Sequence, residues 1–344
     1  MHPVLRLAAA LLCSLLAAAH AVAAQAGWRQ IDLPGATPQA ASITVALYYP
    51  AQAPERSIAM GPFTLRVAPR AAPDAAFKGL IVLSHGTGGS ELGHTSLAEA
   101  LARHGYLVAA LRHPGDNWQD RSLLRQEGGA RYFTQRPRQV SQVIDALLSD
   151  PAWGTRIAGD ARGPRIGAVG HSAGGYTVLA LAGGQADPAR IGTHCAAHRG
   201  DDPIFCGMGR TVPAADATPA SAPVPLVPAV TDVRVRAVVA LSPLGVVFSA
   251  PSLAAIGIPT ALYVAEKDRF LVPRFHGEWI AGNMPGAAFH RVAGAGHYAF
   301  MDAPGQPIDS EDGDVAADPP GFDRRAFMTQ LGDDVLRFFD AAFH

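Results

Sequence analysis

Arg165-Ile166-Gly167-Ala168-Val169-Gly170-His171-Ser172-Ala173-Gly174 is the stretch on which the reading of this chain turns. Its first half is an apolar run suited to a buried strand, and its second half spells G-x-S-x-G. At that spacing, small residues stand two positions either side of a serine. The backbone can then reverse sharply from strand to helix without a Cβ clash, leaving the Ser172 hydroxyl exposed above the strand ends. The helix that follows begins with free N–H groups, which suit developing negative charge. Ser172 is therefore a candidate nucleophile.

The rest of the pattern supplies the scaffold such a turn needs. Apolar runs at 30–33, 43–49, 79–84, 106–111, 238–241, 260–264 and 288–292 read as strands. Stretches 96–103, 140–148, 176–181 and 324–343 read as helices, with apolar residues at i, i+3 and i+4. Strands alternating with helices imply an α/β fold with a mainly parallel sheet and helices on both faces. No internal repeat is visible.

Composition narrows the function. Hydrophobic residues make up 49% of the 344, ample for a large core. The net charge of −1 gives no electrostatic footprint for nucleic acid or an anionic membrane. The densest basic stretch, 131–138, reads as a solvated helix start. Arg6, the apolar run 7–19 and Ala21-Val22-Ala23 have the order of a signal peptide over residues 1–23. That run is short for a spanning helix, so the expectation is an exported protein, periplasmic or secreted, without a stable membrane anchor. Residues 24–344 then form a single domain. Removing Cys13 with the signal leaves Cys195 and Cys206, an even pair in an oxidising space and the expected disulfide. His194 and His198 lie nearby, but their spacing fits no zinc pattern. The segment 194–230, Pro- and Ala-rich from 212 on, reads as an insertion, either a cover over the site or a surface insertion with no catalytic role.

Two loops complete the chemistry. His85-Gly86-Thr87-Gly88-Gly89 follows the 79–84 strand, where a Gly-rich loop can direct a backbone N–H at an oxyanion. This assigns the amides of Thr87 and Ala173 to an oxyanion hole. A dinucleotide-binding reading fails, because Glu91 stands where the third glycine belongs. Asp268, after the 260–264 strand, is the expected acid, with Glu266 the alternative. His297, in the loop after 288–292, is the expected base. Other histidines lack this context: His290 lies inside a strand, His94 and His104 flank a helix, His113 follows an earlier strand, and His276 is expected at the surface.

His85-Gly86-Thr87-Gly88-Gly89, Arg112-His113-Pro114-Gly115, Arg136-Pro137, Gly170-His171-Ser172-Ala173-Gly174-Gly175 and Gly294-Ala295-Gly296-His297 resemble the dienelactone-hydrolase-like group of α/β-hydrolases. That group is related to platelet-activating-factor acetylhydrolases and cutinase-like polyester hydrolases. The likeness runs from Tyr48-Tyr49-Pro50 to His297, and implies the α/β-hydrolase fold and a triad in the chain order Ser172, Asp268, His297. True dienelactone hydrolases carry a cysteine nucleophile, so the serine here argues against dienelactone turnover. The expected function is hydrolysis of small-molecule or lipid carboxylic esters through an acyl-enzyme, with no metal or organic cofactor. An acyltransferase or amide hydrolase with the same triad is one alternative, and a secreted binding protein with a vestigial site is another.

Overall fold

The strands Leu80–Ser84, Leu107–Leu111, Ile166–His171, Val235–Leu241 and Thr260–Ala265 are buried along their whole length, which requires cover on both faces of a sheet. The computed structural model, which describes residues 24–35, 37, 41–125, 130–208 and 227–344, provides that cover. Ten strands form one sheet: β1 (Gln25–Leu33), β2 (Ile43–Ala51), β3 (Arg56–Met60), β4 (Phe63–Pro69), β5 (Leu80–Ser84), β6 (Leu107–Leu111), β7 (Ile166–His171), β8 (Val235–Leu241), β9 (Thr260–Ala265) and β10 (Ala288–Val292). Their spatial order is β10-β9-β8-β7-β5-β6-β2-β1-β4-β3. The six from β10 to β6 run parallel, and β2 joins β6 antiparallel.

The helices are α1 (Thr95–Arg103), α2 (Ala130–Ser149), α3 (Ala173–Leu181), α4 (Ala189–His198), α5 (Pro203–Gly207), α6 (Ala250–Ala254), α7 (Gly277–Asn283) and α8 (Arg324–Ala342). Alternate residues of each strand feed opposite cores. Leu80 and Val82 join Val140, Val143 and Ile144 of α2 on one face. Ile81 and Leu83 join Leu97 and Leu101 of α1, with Leu331, Val335 and Phe339 of α8, on the other. None of the described helices is long and apolar enough to cross a membrane.

Helix α2 contains Pro137, which lacks an N–H and clashes with the carbonyl four residues earlier. That carbonyl belongs to Phe133, and it accepts instead from the Tyr176 hydroxyl at 2.8 Å. The proline thus ties α2 to α3, the helix behind Ser172. The stretch 131–138 is the start of a helix as expected, but not a solvated one. Arg136 is fully buried, because Asp116 supplies an opposite charge within the same core.

Two further differences follow from contacts distant in sequence. β1 begins at Gln25 rather than 30, paired with β2 along its length, and the connection after β2 contains the β3–β4 hairpin. β3 is an edge strand, partly exposed, and carries no apolar run to signal it. His276, expected at the surface, is fully buried, with its Nε2 donating to Asp202 Oδ2 at 2.9 Å.

Asp202 belongs to the inserted segment, whose described part holds α4 and α5. Cys195 and Cys206 join these two helices by a disulfide. Residues 1–23 (the expected signal, with Cys13) and 209–226 (most of the Pro/Ala-rich run) lie outside the described residues. Mature protein, denatured without reductant, should titrate no free thiol; two free thiols would overturn the pairing. The double variant Cys195→Ser/Cys206→Ser should lose about 2–3 kcal/mol in urea denaturation.

Candidate active site

Ser172 occupies the turn between β7 and α3 at φ 58° and ψ −116°, a conformation costly for any residue with a side chain. The glycines either side remove the remaining obstacles. A Cβ on Gly170 would stand 2.0 Å from the Gly174 carbonyl oxygen, and one on Gly174 would stand 1.9 Å from that of Ser84. The turn is pinned from the neighbouring strand as well. Ser172 N–H donates to the Leu241 carbonyl at 2.9 Å, and Leu244 N–H donates to the Ser172 carbonyl at 3.1 Å.

The Gly-rich loop lies against this turn. A Cβ on Gly86 would come within 3.2 Å of Ser172 Cβ. Ala173 is the first residue of α3, so its N–H has no helical acceptor. Among the described residues, no acceptor takes the Thr87 or Ala173 amide. Behind the loop, Arg136 pairs with Asp116 and donates to the His85 carbonyl.

Neutral histidines fill the space around it. Burial, then the Arg136 charge, pushes the His85 imidazole down to about 3. Burial holds His113 well below the ordinary range and His94 at about 4. Being neutral, each ring has one donor and one acceptor. His85 Nε2 accepts from His113 N–H at 3.1 Å, so Nδ1 donates to the Gly86 carbonyl at 2.6 Å. His113 Nδ1 donates to Gln139 Oε1 at 2.7 Å and its Nε2 accepts from the Ser84 hydroxyl at 2.8 Å.

Asp268 and His297 meet as their positions after β9 and β10 predict. His297 Nδ1 lies 2.7 Å from Asp268 Oδ2, and both residues are buried. The other Asp268 oxygen accepts the amides of Phe270 and Leu271, which fixes the carboxylate plane. Glu266, the alternative acid, instead accepts from Gly294 N–H at an exposed site.

His297 is brought to the elbow through its backbone. His171, next to Ser172, donates from Nε2 to the His297 carbonyl at 2.9 Å, and the two rings lie 4.9 Å apart. Burial holds the His171 imidazole well below its ordinary range. Asp302, five residues on, accepts from Ser96 N–H at the start of α1 and anchors the far end of the loop. Among the described residues, the Ser172 hydroxyl makes no hydrogen bond. Sequence reading missed the parts played by His171, Asp116 and Tyr132; His171 lies inside the G-x-S-x-G motif and Asp116 directly follows Arg112-His113-Pro114-Gly115, whereas nothing local marks Tyr132.

His194, Asp202 and His276 place metal-ligating atoms within 4.8 Å of one another, but they form a hydrogen-bonded bridge. Gly245 N–H donates to His276 Nδ1, so His276 Nε2 carries the proton and donates to Asp202. Burial by itself would raise the Asp202 carboxyl; donation from His276 and His194 outweighs it and keeps the group below its usual range. The cysteine sulfurs beside this bridge are bonded to each other.

Residues 81–309 match the model of the α/β hydrolase family. None of the curated proteins matches the chain. Among solved structures, a ferulic acid esterase from Streptomyces cinnamoneus aligns over 95% of this chain and 92% of its own. Its identity is 22% and its TM-score 0.60, a likeness of fold. The family match spans more than half of the chain and includes the elbow, the acid loop and the His297 loop, and with the sheet order it establishes that this chain belongs to the α/β hydrolase family.

Proposed function

We propose that this protein is an exported serine esterase that hydrolyses carboxylic esters of small molecules or lipids through an acyl-enzyme. The observation that carries the reading is the buried Asp268–His297 pair, tethered by His171, the residue beside a strained serine. Ser172 attacks the ester carbonyl while His297 Nε2 takes its proton. Asp268 holds the imidazole in the tautomer with Nδ1 protonated and stabilises the imidazolium. The oxyanion is received by the amides of Thr87 and Ala173. His297 then protonates the leaving alcohol, and water attacks the acyl-enzyme by the same path. A cleft of about 320 Å³ beside His297, lined by Lys267, Arg269, Tyr298, Asp312 and Pro319, suits the departing alcohol. The absence of a Ser172–His297 bond is compatible with this scheme, since such contacts are often long before substrate arrives.

Ser172→Ala and His297→Ala should each lower esterase kcat by roughly 10³-fold or more, and the double variant should be little worse than either. Losses that add would separate the two residues. Asp268→Asn should cost a similar amount or somewhat less; full activity in that variant, with activity lost in Glu266→Gln, would move the acid to Glu266.

A fluorophosphonate should label wild-type protein at Ser172, and a panel of p-nitrophenyl esters of increasing chain length should be hydrolysed. Absence of labelling would point to a binding protein. Acyl product passing mainly to added alcohol rather than water would point to a transferase. Protein recovered from the periplasm or medium should begin near Ala24.

A further inference from the structure

We propose that Asp116 and Tyr132 are positioning residues of the oxyanion hole, aiming the Thr87 amide through a one-way chain of hydrogen bonds. The inference rests on the esterase reading above. The Asp116 carboxylate, paired with Arg136, has lone pairs only. Its Oδ1 accepts from Gly88 N–H at 2.8 Å, and its Oδ2 faces the Tyr132 hydroxyl at 2.8 Å. Tyr132 must therefore donate to Asp116. Burial, reinforced by the Asp116 charge, keeps that phenol protonated.

With its proton directed to Asp116, the Tyr132 oxygen is an acceptor. Thr87 Oγ1 lies 3.0 Å away, so the threonine hydroxyl donates to Tyr132. Every hydrogen in the sequence Thr87, Tyr132, Asp116 thus has a defined direction. The oxyanion loop is consequently held immediately after the Thr87 N–H, at the Thr87 side chain and at the Gly88 backbone, where φ is +66°. Arg136 holds the same loop further back, at the His85 carbonyl. Among the described residues, the Thr87 N–H between these anchors has no acceptor. Oxyanion stabilisation depends on donors already aimed before the charge develops, so loosening the anchors should act on the transition state and not on substrate binding.

The test uses the full mature protein. Tyr132→Phe leaves the Arg136–Asp116 pair intact and should fold with an unchanged Tm, while kcat falls about 3- to 10-fold and KM stays within about twofold. Asp116→Asn should lower kcat about 10- to 100-fold, and its Tm is measured alongside because it leaves Arg136 unpaired. A trifluoromethyl ketone, whose adduct with Ser172 places an oxyanion in the hole, should lose affinity for each variant by the same factor as kcat/KM. The corresponding methyl ketone should bind all forms equally. Thr87→Val should match Tyr132→Phe, and the two together should be no worse than either.

Folded Tyr132→Phe with wild-type kcat and ketone affinity would overturn the proposal. A lowered Tm with unchanged ketone affinity per folded molecule would also overturn it, leaving a structural role only. Wild-type protein that forms no ketone adduct would overturn the esterase reading and this inference with it.

Discussion

Strand β5 and helix α3 approach each other so closely that the Ser84 carbonyl oxygen occupies the space where Gly174 would otherwise carry a side chain. Gly170 and the Gly174 carbonyl repeat the same contact within the turn. This double contact sets the position of α3 over the sheet, and with it the height of Ser172 above the strand ends. It also decides what can stand nearby. The loop leaving β5 passes directly beside the serine, where a Cβ on Gly86 would stand 3.2 Å from Ser172 Cβ and crowd it. Ser172 and the Gly-rich loop beside it are thus placed by one packing requirement.

From that point outward, polar groups are fixed by partners remote in sequence. Asp116 and Arg136 brace the Gly-rich loop from beneath, Tyr176 takes the carbonyl that Pro137 frees, and His171 holds the backbone of His297. On the far side, Asp202 links the disulfide-bonded helices of the insertion to His276, which lies in the segment following Asp268. A buried ion pair such as Arg136–Asp116 contributes little net stability, since desolvating two charges offsets most of their attraction. Its effect is to permit only one arrangement of the loop above it.

Much of this was legible in the sequence, for a definite reason. Strands such as Ile166–His171 and Thr260–Ala265 are buried on both faces and so are almost wholly apolar, and Ser172 and Asp268 each follow one of them, while His297 follows the exposed edge strand β10. The order Ser172, Asp268, His297 could therefore be read from strand ends alone. What could not be read depends on pairing across distance. Arg136 resembles its solvated neighbours Arg131 and Arg138 until Asp116, 20 residues earlier, is seen beside it. His276 sits in a segment without apolar periodicity, and its burial is made possible by Asp202, 74 residues away. The β3–β4 hairpin escaped notice because β3 is largely exposed and β4 alternates buried and exposed residues, so neither forms a continuous apolar run.

The crowd of uncharged imidazoles around the elbow has a consequence for proton balance. In an unfolded chain His85, His94, His113 and His171 would each bind a proton as pH drops below about 6.5. Folded, all four refuse it until the pH is far lower, because burial depresses their affinity. Over that interval the unfolded form holds more protons than the native one at these four sites, so their contribution to stability is full above about pH 6.5 and declines as acidity increases. Each of these rings adds up to about 1.4 kcal/mol to the decline per pH unit. Acidification therefore acts on the folding equilibrium itself, drawing the chain open by mass action of protons.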